Sequence, residues 1–267
     1  LTQGPVNIKF EKKLSDYLNC KYSLSVSNAS NALYLASKVL GINKNSLVWC
    51  SAITFVSSIS CAYHLDSQIE LLDINSKNFN IDLDYLEKKL KRSKKLPNVI
   101  IVTHLGGNPI DLIKLKKLKD KYKFKIIEDA SHALGANYNN KKIGNSNVSE
   151  CVIFSFHPVK SITTGEGGAI TTNNKNFYLQ AKMLRSHGIN RIKKGKNLKC
   201  SLDYDIFQLG YNFRLSDINA ALGISQLKKL NKYIKKRNSI AKIYENFFKK
   251  EEKISIQKIC KNSISSY

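Results

Sequence analysis

The sequence predicts an α/β fold in which a mainly parallel sheet carries helices on both faces. Three observations predict it. Short runs of continuous apolar character, such as LVWC, NVIIVT and KIIED, alternate along the chain with longer segments whose apolar residues recur at helical spacing. Strands without a polar alternate are buried on both faces, as parallel strands linked by crossover helices are. Finally, the polar signals NAS, HLGGNP and EDASHALG each follow a strand-like run. That places them at the carboxyl edge of the sheet, where such folds gather ligands.

The elements follow in order. Ile8, Phe10, Leu14 and Leu18 predict a helix over 6–18. KYSLSVS (21–27) reads as a strand, and Ala32, Leu33, Leu35, Ala36 and Val39 begin a helix that stops at Gly41. Strands are expected at 47–50, 69–72, 99–103 and 125–128, the last ending at Asp129, with helices at 55–63, 83–90 and 110–122. CVIFSF and GGAITT are two β-prone arms flanking TTGEGG, and 177–186 reads as a helix. A lysine-rich loop (187–199) precedes a helix started by Ser216 and Asp217, with Ile218, Ala221, Leu222 and Leu227 as its apolar face. A long basic amphipathic helix covers 231–248, and IQKICKNSISSY (256–267) shows no cap or closing element. There is no internal repeat.

Composition narrows the function classes. A chain of 267 residues, 42% hydrophobic, buries a substantial core. Its net charge of +24 would suit an anionic partner. The lysines, however, are spread over the polar faces of segments such as 114–125 and 228–242, and no arginine stripe is interleaved with aromatics. No nucleic-acid role is expected, and a basic nucleic-acid-binding or regulatory protein is kept only as the alternative from a different class. Cys20, Cys50, Cys61, Cys151, Cys200 and Cys260 form no CxxC pair, so no metal site is expected; Cys50, Cys61 and Cys151 read as core residues of a reducing, cytoplasmic compartment. The uncharged stretch 47–65 carries serines, a threonine and His64, which makes it a buried strand and helix rather than a membrane span. No signal peptide opens the chain.

Chemistry converges on Lys160. It stands between the β-prone arms among His157, Pro158, Val159, Ser161 and Ile162, apart from other cations. A desolvated lysine loses its proton more readily and becomes a nucleophile suited to imine chemistry. SNASNAL offers free amides and the Ser30 hydroxyl at a strand-to-helix turn, an arrangement that holds phosphate. Asp129, at a strand's carboxyl end, could hold a protonated ring nitrogen, with His132 three residues on. Phe55 could stack on a flat ring. Phosphate cradle, ring-nitrogen partner, aromatic cover and imine lysine are together what pyridoxal 5′-phosphate (PLP) requires.

SNASNAL, EDASHALG, FSFHPVKSITTGEGGAITT, RSHGI and YNFRLSDINAALGISQL, in that order, resemble the DegT/DnrJ/EryC1/StrS family of nucleotide-sugar aminotransferases along essentially the whole chain. The resemblance implies a PLP-dependent transferase of fold type I. Lys160 would be the lysine that joins the cofactor covalently and carries protons, Asp129 the pyridine-nitrogen partner, and His132 the neighbour of the ring's phenolic oxygen. Phe55 would cover the ring, and Ala29, Ser30 and Ser155 the phosphate side. Asn212 would reach the cofactor of the neighbouring subunit in a homodimer with shared active sites. Leu1, Thr2, Ala29, Ser155 and Asn212 would touch substrate. The implied reaction moves an amino group from L-glutamate to C4 of a UDP-linked 4-keto-6-deoxy-N-acetylhexosamine, as in pseudaminic acid biosynthesis, with another UDP- or dTDP-4-keto sugar as the alternative substrate. Residues 1–230 would form the cofactor-binding large domain, lacking a short N-terminal segment. Residues 231–267 would form a connecting helix and the start of a C-terminal small domain that is largely missing.

Overall fold

The computed structural model describes residues 2–145, 147–190 and 205–267. Helix α1 (Pro5–Leu18) opens with a proline, whose missing N–H costs nothing in a first turn, and stops at Asn19 in the left-handed conformation. The alternation read from the sequence then appears: β1 (Tyr22–Val26), α2 (Ala29–Val39), β2 (Leu47–Ser51), α3 (Ser57–Tyr63), β3 (Gln68–Leu72), α4 (Leu83–Arg92), β4 (Val99–Thr103), α5 (Leu112–Tyr122) and β5 (Lys125–Asp129). Strands β6 (Cys151–Ser155) and β7 (Gly168–Thr172) are the two arms around Lys160, followed by α6 (Lys175–Arg185), α7 (Asp217–Leu227) and α8 (Leu230–Phe248).

The seven strands form one sheet in the order β1-β7-β6-β5-β4-β2-β3. Pairings from β3 through β6 are parallel. The arms β6 and β7 run antiparallel, and β1 pairs antiparallel with β7. Successive side chains along each strand point to opposite faces. Val48, Cys50 and Ile127 pack with Leu33, Ala62 and Leu184 on one face, while Trp49 and Ile126 pack with Leu86 and Leu118 on the other. Near the arms, the second face is covered by Phe10, Leu14 and Leu18 of α1 with Leu227 of α7. Both faces are therefore covered, as the unbroken apolar runs predict.

Two local readings need correction. Segment 256–267 does have a closing element: Ser263 and Ile264 pair antiparallel with Ile264↔Asn137 and Ser263↔Tyr138, and Ser265 and Ser266 are buried. The reason it escaped is that backbone pairing and serine hydroxyls hold it, not an apolar run. The same two residues, Asn137 and Tyr138, also pair with Lys141 and Lys142 through a turn at Asn139 and Asn140, both with positive φ. Asn-Asn is a composition suited to that turn. Within the lysine-rich loop, Ile189 and Asn190 pair with Asp205 and Ile206, and residues 191–204, with Cys200 among them, lie outside the described residues.

Candidate functional site

Seven of the residues read from the sequence line one pocket of about 240 Å³: Ala29, Ser30, Phe55, Asp129, His132, Ser155 and Lys160. The elements that bring them together are few. Asn28 caps α2 by accepting the N–H of Asn31 at 2.8 Å, so the chain enters the helix with the first-turn amides of Ala29 and Ser30 directed outward from its start. The Ser30 hydroxyl meets that of Ser57, at the start of α3, at 2.6 Å. Ser155 lies directly opposite Gly168 in the β6–β7 ladder. A Cβ on Gly168 would come within 2.6–2.8 Å of the Asn28 and Ala29 backbone. The last glycine of GEGG is thus what lets the turn before α2 sit against the sheet edge, beside Ser155.

Asp129, almost fully buried, closes β5. Its carboxylate accepts the Ser58 hydroxyl at 2.5 Å and the Ser131 N–H at 3.1 Å. Behind Ser58 runs a relay of hydroxyls, Ser58 to Thr54 at 3.0 Å and Thr54 to Thr103 at 2.8 Å. An ionised carboxylate only accepts, so Ser58 donates to it and each hydroxyl behind donates forward. Thr54, Ser58, Thr103 and Ser131 were not picked out in the sequence. The serines of SAITFVSS were legible only as relief from hydrophobicity, since what they serve lies 71 residues further along the chain.

Lys160 is half-buried, and its pKa is lowered by desolvation, with Asp129 opposing the shift. His132 is lowered by burial first and by the positive charge of Lys160 second, again opposed by Asp129. The three groups thus feel one another's charge. Phe55 is 68% exposed, which excludes it from the core and leaves its ring on the pocket wall. Helix α3 begins two residues later than the sequence reading, at Ser57, so Phe55 sits in the preceding turn.

His157, Val159 and Glu166 also line the pocket, with His157 Nε2 3.9 Å from the Glu166 carboxylate. Asn212 and Thr2 do not line it: both are exposed. Asn212 bridges to Ser186, whose hydroxyl in turn contacts Gln3 at 3.4 Å, so the N-terminal residues and Asn212 share a separate patch. Leu1 lies outside the described residues.

Known proteins resemble this chain in sequence and fold. The model of the DegT/DnrJ/EryC1/StrS aminotransferase family matches residues 1–266. Over 259 residues the chain is 40% identical to a UDP-4-amino-4,6-dideoxy-N-acetyl-beta-L-altrosamine transaminase of Campylobacter jejuni subsp. jejuni serotype O:23/36 (strain 81-176), covering 97% of this chain and 66% of that relative. Helicobacter pylori PseC, an aminotransferase involved in the biosynthesis of pseudoaminic acid, superposes with a TM-score of 0.86 at 31% identity, over 94% of this chain and 65% of its own. A Streptococcus pneumoniae protein in its PLP-form superposes with a TM-score of 0.86 at 27% identity, over 100% of this chain and 70% of its own. The chain thus spans 66% of the length of the Campylobacter relative. With a family model matching nearly every residue and the fold shared throughout, the chain belongs to the DegT/DnrJ/EryC1/StrS aminotransferase family.

Proposed function

We propose that this chain is the cofactor-binding part of a PLP-dependent aminotransferase that moves an amino group from L-glutamate to C4 of a UDP-linked 4-keto-6-deoxy-N-acetylhexosamine, in pseudaminic acid biosynthesis in the cytoplasm. The observation that carries the reading is the meeting of a desolvated Lys160 with a buried, hydroxyl-fed Asp129 in one pocket. The substrate assignment is supported by what the Campylobacter and Helicobacter relatives are named for.

The residues fit the cofactor. A turn pressed against Gly168, where a Cβ would collide with its backbone, leaves the Ala29 and Ser30 amides with the Ser30, Ser57 and Ser155 hydroxyls for a phosphate. PLP, when bound, supplies an electron sink through which an amino group passes between carbon centres. Asp129, whose carboxylate accepts from the Ser58 hydroxyl and the Ser131 N–H, would pair with the ring nitrogen and favour a proton there. Lys160 Nζ, poor in solvent, takes and returns the proton at the reacting carbon. Phe55 covers one side of the pocket and excludes water there. Asn212 reaches the cofactor of a second copy in a homodimer with shared active sites, which is how a residue exposed on this chain comes to serve a cofactor, while Leu1 and Thr2 line the nucleotide-sugar pocket.

The test is spectroscopic. Full-length protein incubated with PLP is expected to show a near-visible absorption band that borohydride converts into a stable adduct, located on Lys160 by peptide mass. Lys160→Ala is expected to lose it, and the same adduct on another lysine would sink the assignment. A panel of UDP- and dTDP-4-keto sugars with glutamate then reads the substrate.

A further inference from the structure

His132 is held from behind by a segment distant in sequence. Gly106 donates its N–H to His132 Nδ1 at 3.3 Å. A neutral imidazole has one N–H, so an Nδ1 that accepts leaves the proton on Nε2. Gly106 can aim its N–H this way because its φ of +62° is open to glycine.

The contact is fastened at both ends by two consecutive serines after α8. Ser266, fully buried, donates its hydroxyl to the His132 carbonyl at 2.7 Å and its N–H to the Gly107 carbonyl at 3.3 Å. Ser265 donates its hydroxyl to the Gly106 carbonyl at 3.3 Å, and its own carbonyl accepts from Asn238 of α8 at 2.9 Å. The approach is close: a Cβ on Gly107 would come 2.5 Å from the Ser266 hydroxyl and 2.9 Å from the His132 carbonyl. Gln257 adds a bond to the Leu105 carbonyl at 3.1 Å, and Cys260 one to the Asn108 side chain at 2.9 Å.

We propose that Ser265 and Ser266 form a clamp that sets Gly106 against His132 and so fixes the pocket imidazole as its Nε2–H tautomer, making the segment after α8 a positioning part of the site. The clamp ties the carbonyls of Gly106, Gly107 and His132 to one strip of backbone, so the donor and acceptor cannot drift apart independently. An N–H facing Nδ1 also opposes protonation there, in the same direction as burial and the Lys160 charge, while Asp129 favours the cation. For the proposed reaction, and resting on that reading, a fixed Nε2–H gives the pocket a hydrogen-bond donor in place of a second base.

The experiment reads the tautomer without cofactor, by long-range ¹H–¹⁵N correlation of histidine-labelled full-length protein across pH. His132 is expected as the Nε2–H form, with a protonation midpoint below the ordinary histidine value. His104 is the internal reference: its Nδ1 accepts the Ile110 N–H at 3.1 Å and its Nε2 meets Glu128 at 2.9 Å, ring contacts that neither Ser265 nor Ser266 makes. Ser266→Ala is expected to give mixed tautomers at His132 and to raise its midpoint, with the His104 tautomer unchanged. Ser265→Ala, which leaves the buried Ser266 packing intact, is expected to do the same to a smaller extent. An Nδ1–H form in the parent protein, or an unchanged His132 pattern in both variants, overturns the clamp. Neither result bears on the Lys160 adduct, so the two readings fail separately.

Discussion

At the scale of single residues, the pocket depends on how Asp129 is fed. A buried carboxylate keeps its charge only while donors replace the water it has lost. Ser58 is its shortest donor and is itself backed by Thr54 and Thr103. Ser58→Ala therefore leaves an oxygen of Asp129 short of a partner, and stability is expected to fall by about 1–3 kcal/mol, read by urea denaturation of the cofactor-free protein. Cofactor retention on dialysis should fall with it. An unchanged midpoint would mean that water or another side chain takes over the bond. Asp129 and His132 were legible because the motif EDASH sits at a strand end. Ser58 was not, because a serine's partner is chosen by the tertiary fold.

At the scale of elements, the working unit is the turn before α2 pressed onto the start of β7. Gly168→Ala puts a methyl group 2.6–2.8 Å from backbone atoms that cannot rotate away. The expected cost is about 1–3 kcal/mol, together with a loss of PLP affinity, because the amides of Ala29 and Ser30 move with the turn. Asp82→Ala is the comparison. Asp82 caps α4 through the N–H groups of Asp84 and Tyr85, and losing it should cost about 1 kcal/mol with cofactor affinity unchanged. Equal effects of the two variants on PLP binding, measured by titration of the absorption band, would show that the turn is not special. Element types and order were readable because hydrophobic periodicity is local. Their edges moved by a residue or two, as at Ser57, where no side chain caps the helix, and that shift is what left Phe55 in the pocket wall.

At the scale of the molecule, the residues separate into two places. One is the pocket; the other is the partly exposed patch of Gln3, Ser186 and Asn212. If Asn212 serves a neighbour's cofactor, the defects of Lys160→Ala and Asn212→Ala are complementary. Each variant alone should have little activity. Mixed, exchanged subunits should recover about a quarter of the parent activity, since half of the dimers are mixed and each has one intact site. No recovery on mixing, with exchange confirmed by mass, would show that Asn212 acts within its own subunit.

The sequence alone determined the layered α/β architecture, since apolar runs of strand length and helical spacing are properties of neighbours along the chain. It also determined the chemistry on offer at Lys160, Asp129 and His132, because residue type fixes what each group can bond. Only the tertiary structure decided which groups serve them. The hydroxyl relay behind Asp129, the glycine that lets the turn close, and the serines that grip His132 are contacts across 71, 140 and 134 residues of chain. No local pattern encodes such contacts, because the free energy that places them comes from packing the whole sheet and its helices at once.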